Sequence, residues 1–231
     1  MSTTYGTLYG VSVGPGDPEL LTLKAVRIIK ACPVIATPKT TGEKTLALDI
    51  AARAVDLNGK EILPLDFPMT RDHAALRAGH RAAADAVAAH LKAGRDVALL
   101  NLGDVSVYST FAYVKNLLEE DGFPVVMIPG VTSFCAVAAT LGQSLTTMHQ
   151  PVHIFPASSG PTDEALKLKG TKVLMKTGRS MPEVRAAIEA AGLKEKTGLV
   201  QNCGLPNEQV CHNLDDASDD ISYFTTIIVK E

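Results

Sequence analysis

The stretch Asp96–Leu102, reading DVALLNL, does most to fix the kind of fold this chain can adopt. A strand that is apolar on both faces needs cover on both. It finds that cover in a parallel sheet, where the crossover helices lie over the two faces. The run follows Asp72–Ala93, a long alanine-rich stretch that predicts a helix closed by Gly94 as its C-cap. Upstream, Thr7–Val13 and Val34–Ala36 predict strands. Between them, Asp17-Pro18-Glu19 reads as a helix start, with Leu20, Leu21, Leu23, Val26 and Ile29 as its apolar stripe and Pro33 as its stop. Thr45–Val55, Thr110–Glu120 and Ser133–Leu141 predict helices, and Val125–Ile128 a strand.

The second half has a different texture. Val152–Phe155 and Lys172–Met175 read as strands, and Ser180-Met181-Pro182-Glu183 as a capping box opening a helix to Ala191. Thr197–Asn202, Glu208–Asn213 and Ile221–Val229 are strand-like and closely spaced, which suits antiparallel hairpins. The fold class is therefore α/β, in two domains, the first with a largely parallel sheet and the second with a mixed one. The boundary is expected within Glu119–Pro124, giving domains over 1–121 and 122–231.

Composition narrows the partners. A net charge of -3 with no basic block gives nucleic acid no footing. No run of 18 apolar residues predicts a membrane span, and MSTTYGTLYG lacks the cationic start and apolar run of a signal peptide. Cys32, Cys135, Cys203 and Cys211 form no CxxC pair, so free thiols and no metal site are expected, in a reducing compartment, the cytoplasm.

Three loops, each after an expected strand, carry the candidate chemistry. In Gly14-Pro15-Gly16-Asp17-Pro18 the third glycine of a dinucleotide motif is replaced by Glu19, and no carboxylate for a ribose follows the next strand. Two prolines remove backbone donors, and Asp17 would repel a phosphate at about 4 Å by roughly 1–4 kcal/mol. The loop suits an uncharged or cationic ligand, or a plain turn. In Asn101–Thr110, NLGDVSVYST, Asp104 could cap a helix, attract a cation or bond an amine, and Tyr108, Ser109 and Thr110 add hydroxyls. In Pro129–Ala139, PGVTSFCAVAA, hydroxyls precede a helix whose small side chains allow close approach.

Taken together, VSVGPGDPELLTLKA, the GD…YST loop and PGVTSF resemble the tetrapyrrole methylase family, and they cover most of the first 140 residues. TPKTTGEKTLAL and LDFPMTRD are similar to its precorrin-2 C20-methyltransferase branch, as are LMKTGR and CGLPNEQV more loosely. The first loop reads V-S-V-G-P-G where relatives carry an early glycine, so Ser12 stands in that glycine's place.

The resemblance implies the tetrapyrrole methylase fold, a homodimer with the active site in the cleft between domains, and methyl transfer from S-adenosylmethionine to the C20 meso carbon of precorrin-2 or cobalt-factor II, towards cobalamin. S-adenosylhomocysteine would be the product. By position, Gly103, Asp104, Val105, Thr132, Ser133, Phe134, Met175, Lys176, Asn202, Cys203 and Gly204 would contact the donor, and Pro15 would face the tetrapyrrole.

A sulfonium methyl is already activated, so the chemistry needs alignment, which supplies roughly 7–11 kcal/mol of barrier lowering. A base for the C20 proton could be Asp104, Tyr108 or His149. Lys39, Arg71, Lys176 and Arg179 would meet the substrate's carboxylates, and Phe67 and Met69 its flat ring. Competing readings are methylation at another ring carbon, a nucleotide-dependent oxidoreductase, and a non-enzymatic tetrapyrrole or nucleoside binder.

Overall fold

A computed structural model of the chain describes residues 5–39, 45–157, 162–218 and 221–231. Residues 40–44 of the TPKTTGEKTLAL motif thus lie outside the described residues. The chain divides into two compact units, Met1–Thr132 and Ser133–Glu231.

The first unit carries β1 (Leu8–Ser12), β2 (Val34–Lys39), β3 (Glu61–Asp66), β4 (Val97–Asn101) and β5 (Val125–Ile128). They form one sheet in the order β3-β2-β4-β1-β5, parallel throughout. Its helices are α1 (Leu23–Ala31), α2 (Leu46–Ala54), α3 (His73–Lys92) and α4 (Phe111–Glu120). Every residue of β4 is buried, as its two-faced apolar pattern requires. Asp72 caps α3 by accepting from the Ala74 amide at 2.8 Å, and Gly94, at φ +74, ends it. The fully buried Phe111 ring of α4 lies on β1, where a Cβ at Gly10 would meet it at 2.4 Å. That position has room only for glycine.

Three expectations for this half are corrected. The helix expected from Asp17 begins only at Leu23. Asp17 accepts from the Glu19 amide at 2.9 Å and closes a single tight turn over Pro18–Leu20, and Thr22 then caps α1 through the Ala25 amide at 3.1 Å. Two caps five residues apart split the run (22 − 17 = 5). Leu23 is consequently 90% exposed, and Ala25, Ile28 and Ile29 form the buried face. The strand β3 was not anticipated, because Pro64 sits inside it and most of its side chains are exposed; it survives as an edge strand beside β2. The division falls after Thr132, later than the expected boundary, because β5 pairs with β1 and belongs to the first sheet.

The second unit carries α5 (Ser133–Thr140), β6 (Val152–Pro156), α6 (Thr162–Leu166), β7 (Thr171–Met175), α7 (Met181–Ala190), β8 (Thr197–Gln201), β9 (Gln209–Cys211) and β10 (Thr225–Val229). The sheet order is β6-β7-β10-β8-β9. β6 and β7 run parallel, and the other pairings are antiparallel, so the sheet is mixed. Leu174, Leu199 and Ile227 from the sheet pack with Met181, Val184 and Ile188 of α7 in one core. The expected capping box at Ser180 is not made. A tight turn over Gly178–Ser180 leaves Ser180 at φ -87, ψ 6 instead of the extended conformation of a capping serine, and its side chain caps nothing. Among the described residues no helix is long and apolar enough to cross a membrane.

Candidate functional site

The three sequence loops leave the carboxyl ends of β1, β4 and β5, which are adjacent in the first sheet. Ligands of open parallel sheets collect at this edge. The loops are bonded to one another. Gly14 and Gly103 form a two-way backbone bridge, with Gly103 N donating to Gly14 O at 2.8 Å and Gly14 N to Gly103 O at 3.2 Å. Both glycines have positive φ, +74 and +71, which side-chain-bearing residues adopt at a cost. The fully buried Ser12 hydroxyl donates to Ile128 O at 2.8 Å and accepts from Val105 N at 2.8 Å. Gly130 packs against it so closely that a Cβ there would lie 2.4 Å from the Ser12 Cβ.

Asp104 completes the lock. One carboxylate oxygen accepts from Gly130 N at 2.7 Å. The other accepts from Ser106 N at 2.8 Å and from the Ser106 hydroxyl. Burial works to raise its pKa. The Gly130 amide and the Ser106 hydroxyl and amide together outweigh it, so the carboxyl titrates below the ordinary range. A carboxylate held this way is a fixed anion that braces the loop, and a weak proton acceptor.

The first loop is a poor phosphate cradle. The amides of Gly14, Glu19, Leu20 and Leu21 are committed to internal acceptors, Pro15 and Pro18 have none, and the amides of Gly16 and Asp17 sit beside the Asp17 carboxylate, which would repel a phosphate. Beyond Asp104, Tyr108 is 44% exposed and held at φ 49, an unfavourable conformation for so bulky a residue. Ser109 donates to the buried Asn101 side chain at 2.6 Å, tying the far side of this loop to the end of β4. The Thr132 hydroxyl is buried and has no hydrogen-bond partner among the described residues.

The expected tetrapyrrole contacts of this unit divide. Pro15 is buried. Lys39 and Asp66, at the carboxyl ends of β2 and β3, form an exposed ion pair at 3.8 Å. Phe67 is half-buried against the core and 6.1 Å from the His80 ring. Met69 is 96% exposed, so it is no core residue, and Arg71 is exposed as well.

In the second unit β10 runs between β7 and β8, placing Thr226 opposite Met175 and Thr225 opposite Gln201. The carboxyl ends of β7 and β8 therefore share one edge of the sheet. Ser133, at the start of α5, reaches it through a 3.4 Å bond between its hydroxyl and that of Thr226. Lys176 at φ 57 and Asn202 at φ 52 turn the chain away just past β7 and β8. Asn202 is held by Ser222, whose hydroxyl donates to Asn202 Oδ1 at 2.7 Å, and Gly204 N donates to Glu208 at 2.6 Å. Cys203 is buried, its sulfur 3.6 Å from the Thr140 hydroxyl. Thr177 is buried with an unpartnered hydroxyl. Phe134 is half-buried, while Arg179 and His149 are exposed.

Sequence reasoning placed the three loops but missed Ser12, Asn101 and Gly130 as the residues that join them. Ser12 carried a signal, a hydroxyl where relatives have glycine; the other two carried none.

Comparison with known proteins identifies the family. The sequence profile of the Tetrapyrrole (Corrin/Porphyrin) Methylases matches residues 7–217. The chain is 33% identical to the cobalt-precorrin-2 C(20)-methyltransferase of Salmonella typhimurium, over 98% of this chain and 97% of that protein. It is 32% identical to the precorrin-2 C(20)-methyltransferase of a Sinorhizobium species, over 97% and 95%. Among solved structures, the uroporphyrin-III C-methyl transferase of Thermus thermophilus, complexed with S-adenyl homocysteine, superposes with a TM-score of 0.71 at 24% identity, covering 98% of this chain and 92% of that one. At that identity the likeness speaks for the fold. The profile spans both units, and so the chain belongs to the tetrapyrrole methylase family.

Proposed function

We propose that this protein transfers a methyl group from S-adenosylmethionine to C20 of precorrin-2 or its cobalt-bearing counterpart, in cobalamin biosynthesis. The observation that carries the reading is the interlocked set of loops at the carboxyl ends of β1, β4 and β5: with two prolines and the Asp17 carboxylate in the first loop it suits a phosphate poorly, yet it fixes Gly103, Asp104 and Val105 in place. The two curated relatives, matched nearly end to end, carry this activity in their names.

When bound, the donor supplies an electrophilic methyl on a positively charged sulfur. The chain's task is to hold it and exclude water. Gly103, Val105 and the unpartnered Thr132 hydroxyl are assigned to it from the first unit. Ser133, Phe134, Met175, Lys176, Asn202, Cys203 and Gly204 are assigned to it from the second. Asp104 braces the loop that presents Gly103 and Val105. Its depressed pKa and filled hydrogen bonds argue against a role as base; of the other two candidates, Tyr108 would take the C20 proton only while passing its own phenolic proton to solvent, and His149 would take it on an unprotonated ring nitrogen. Lys39, Arg71 and Arg179 are exposed cations suited to the substrate's carboxylates, with Pro15, Phe67 and Met69 as its apolar contacts. The reading includes a homodimer in the cytoplasm, which light scattering and fractionation check.

The deciding experiment incubates the protein with methyl-labelled S-adenosylmethionine and either precorrin-2 or its cobalt complex, and locates the label by NMR. Label at C20 is expected, and the faster substrate identifies the route. Label at another carbon, or saturable binding of NADH with none of S-adenosylhomocysteine, overturns the proposal.

A further inference from the structure

Ser12 is the position where β1, the end of β5 and the loop after β4 are joined by a side chain. It ends β1 and is fully buried. Its hydroxyl uses its proton on Ile128 O, the last residue of β5, 116 residues away, and accepts Val105 N, 93 residues away, in the loop after β4. Glycine can make neither bond. The Ser12 Cβ also fills the space into which Gly130 turns, and the Gly130 amide is the one that holds Asp104. A single side chain therefore fixes Val105 directly and Asp104 through Gly130.

We infer that Ser12 is a positioning residue for methyl transfer: its hydroxyl clamps the Val105 amide to the end of β5 and so sets the loop that receives the donor. This rests on the donor site proposed above. Without the hydroxyl, Val105 N and Ile128 O lose their partners in a buried place. The loop then samples other positions, and ordering it again when the donor binds costs affinity. The effect falls on donor binding more than on turnover once donor is saturating, because the reacting groups themselves are untouched.

The test measures S-adenosylhomocysteine affinity by calorimetry and steady-state KM and kcat on the intact protein, for wild type, Ser12→Ala, Ser12→Gly and Ser12→Cys. The alanine and glycine variants are expected to bind about tenfold more weakly, with KM for the donor rising in step and kcat within about threefold of wild type. Cysteine, which keeps a weaker donor and acceptor, is expected to fall between them and wild type. Should Ser12→Ala fail to fold, Ser12→Cys carries the comparison, together with amide exchange at Val105, which should quicken in that variant. Unchanged affinity in the variants, or a loss of stability with donor affinity intact, overturns the inference. If wild type itself fails to bind S-adenosylhomocysteine, it is the proposed function that has failed.

Discussion

Replacing Asp104 by asparagine keeps the shape of the side chain and removes its charge. The carboxylate accepts from Gly130 N at 2.7 Å on one side and from Ser106 N, at 2.8 Å, and the Ser106 hydroxyl on the other. An amide has one oxygen. If that oxygen stays on Gly130, the new NH2 group faces the Ser106 N–H, donor against donor. The charge-assisted bond that is lost contributes about 1.5–3 kcal/mol, and the Ser106 hydroxyl can recover about 1 kcal/mol by turning to accept. The net cost is about 0.5–2 kcal/mol at pH 7. Its pH dependence follows from linkage. The folded pKa is depressed, so the carboxylate's contribution is complete above the unfolded value of about 4 and is lost as pH falls through the folded value. Asparagine does not titrate, so the gap between wild type and variant should be widest near neutrality and close in acid. Urea unfolding at several pH values, with amide exchange at Gly130 and Ser106 as the local readout, measures it. Equal stability at pH 7, or a gap that stays constant down to pH about 3, would refute the reasoning.

Three further outcomes test the packing and the ligand reading. Gly130→Ala places a Cβ 2.4 Å from the Ser12 Cβ and 3.2 Å from Gly103 O, so the Asp104 bond must shift, and calorimetry should show S-adenosylhomocysteine binding weakened by about tenfold or more; Ser12→Gly in the same chain should recover part of it. Thr132→Val removes a buried hydroxyl that has no partner, so thermal stability without ligand should hold or rise by up to about 1 kcal/mol while donor affinity drops; a clear loss of stability contradicts the assignment. Burial, and secondarily Asp96 against the pull of Lys60, pushes the Cys32 thiol up to about 12, whereas Cys135 is exposed. At pH 8 a thiol reagent followed by mass spectrometry should label Cys135 first and leave Cys32 unmodified until the protein unfolds.

Much of the fold is legible because its signals are local. The apolar run of β4 and the alanine-rich α3 with its Asp72 cap and Gly94 stop need no knowledge of the rest of the chain. The errors arise where neighbours decide. Asp17 looks like a helix cap and is one, but for a single turn, because Thr22 caps again. Glu61–Asp66 has a proline and little burial, and becomes a strand only because β2 lies beside it. The site divides in the same way. Its loops are short motifs and can be read. Their joints run from Ser12 to Ile128, from Ser12 to Val105 and from Asp104 to Gly130, over separations of 116, 93 and 26 residues that no periodicity reports.

Among the described residues, the non-glycine residues with positive φ are Tyr108, Lys176 and Asn202, and each lies in the loop that follows a strand and is one of the expected site residues. Such a conformation costs a side-chain-bearing residue about 1–2 kcal/mol. Glycine would avoid it, at the cost of about 0.5–1 kcal/mol in unfolded-chain entropy, so the two choices nearly balance in stability. Retaining tyrosine at 108 therefore has to be explained by what the side chain does. If the hydroxyl takes the C20 proton, Tyr108→Phe should lower kcat at saturating substrates and leave S-adenosylhomocysteine affinity unchanged. Tyr108→Gly should lower kcat at least as far while stability stays within about 1 kcal/mol of wild type. Wild-type kcat in the phenylalanine variant would remove the hydroxyl from the mechanism. A glycine variant that is destabilised by more than about 2 kcal/mol yet turns over normally would mean that the ring serves the fold, and that its strained backbone has no bearing on catalysis.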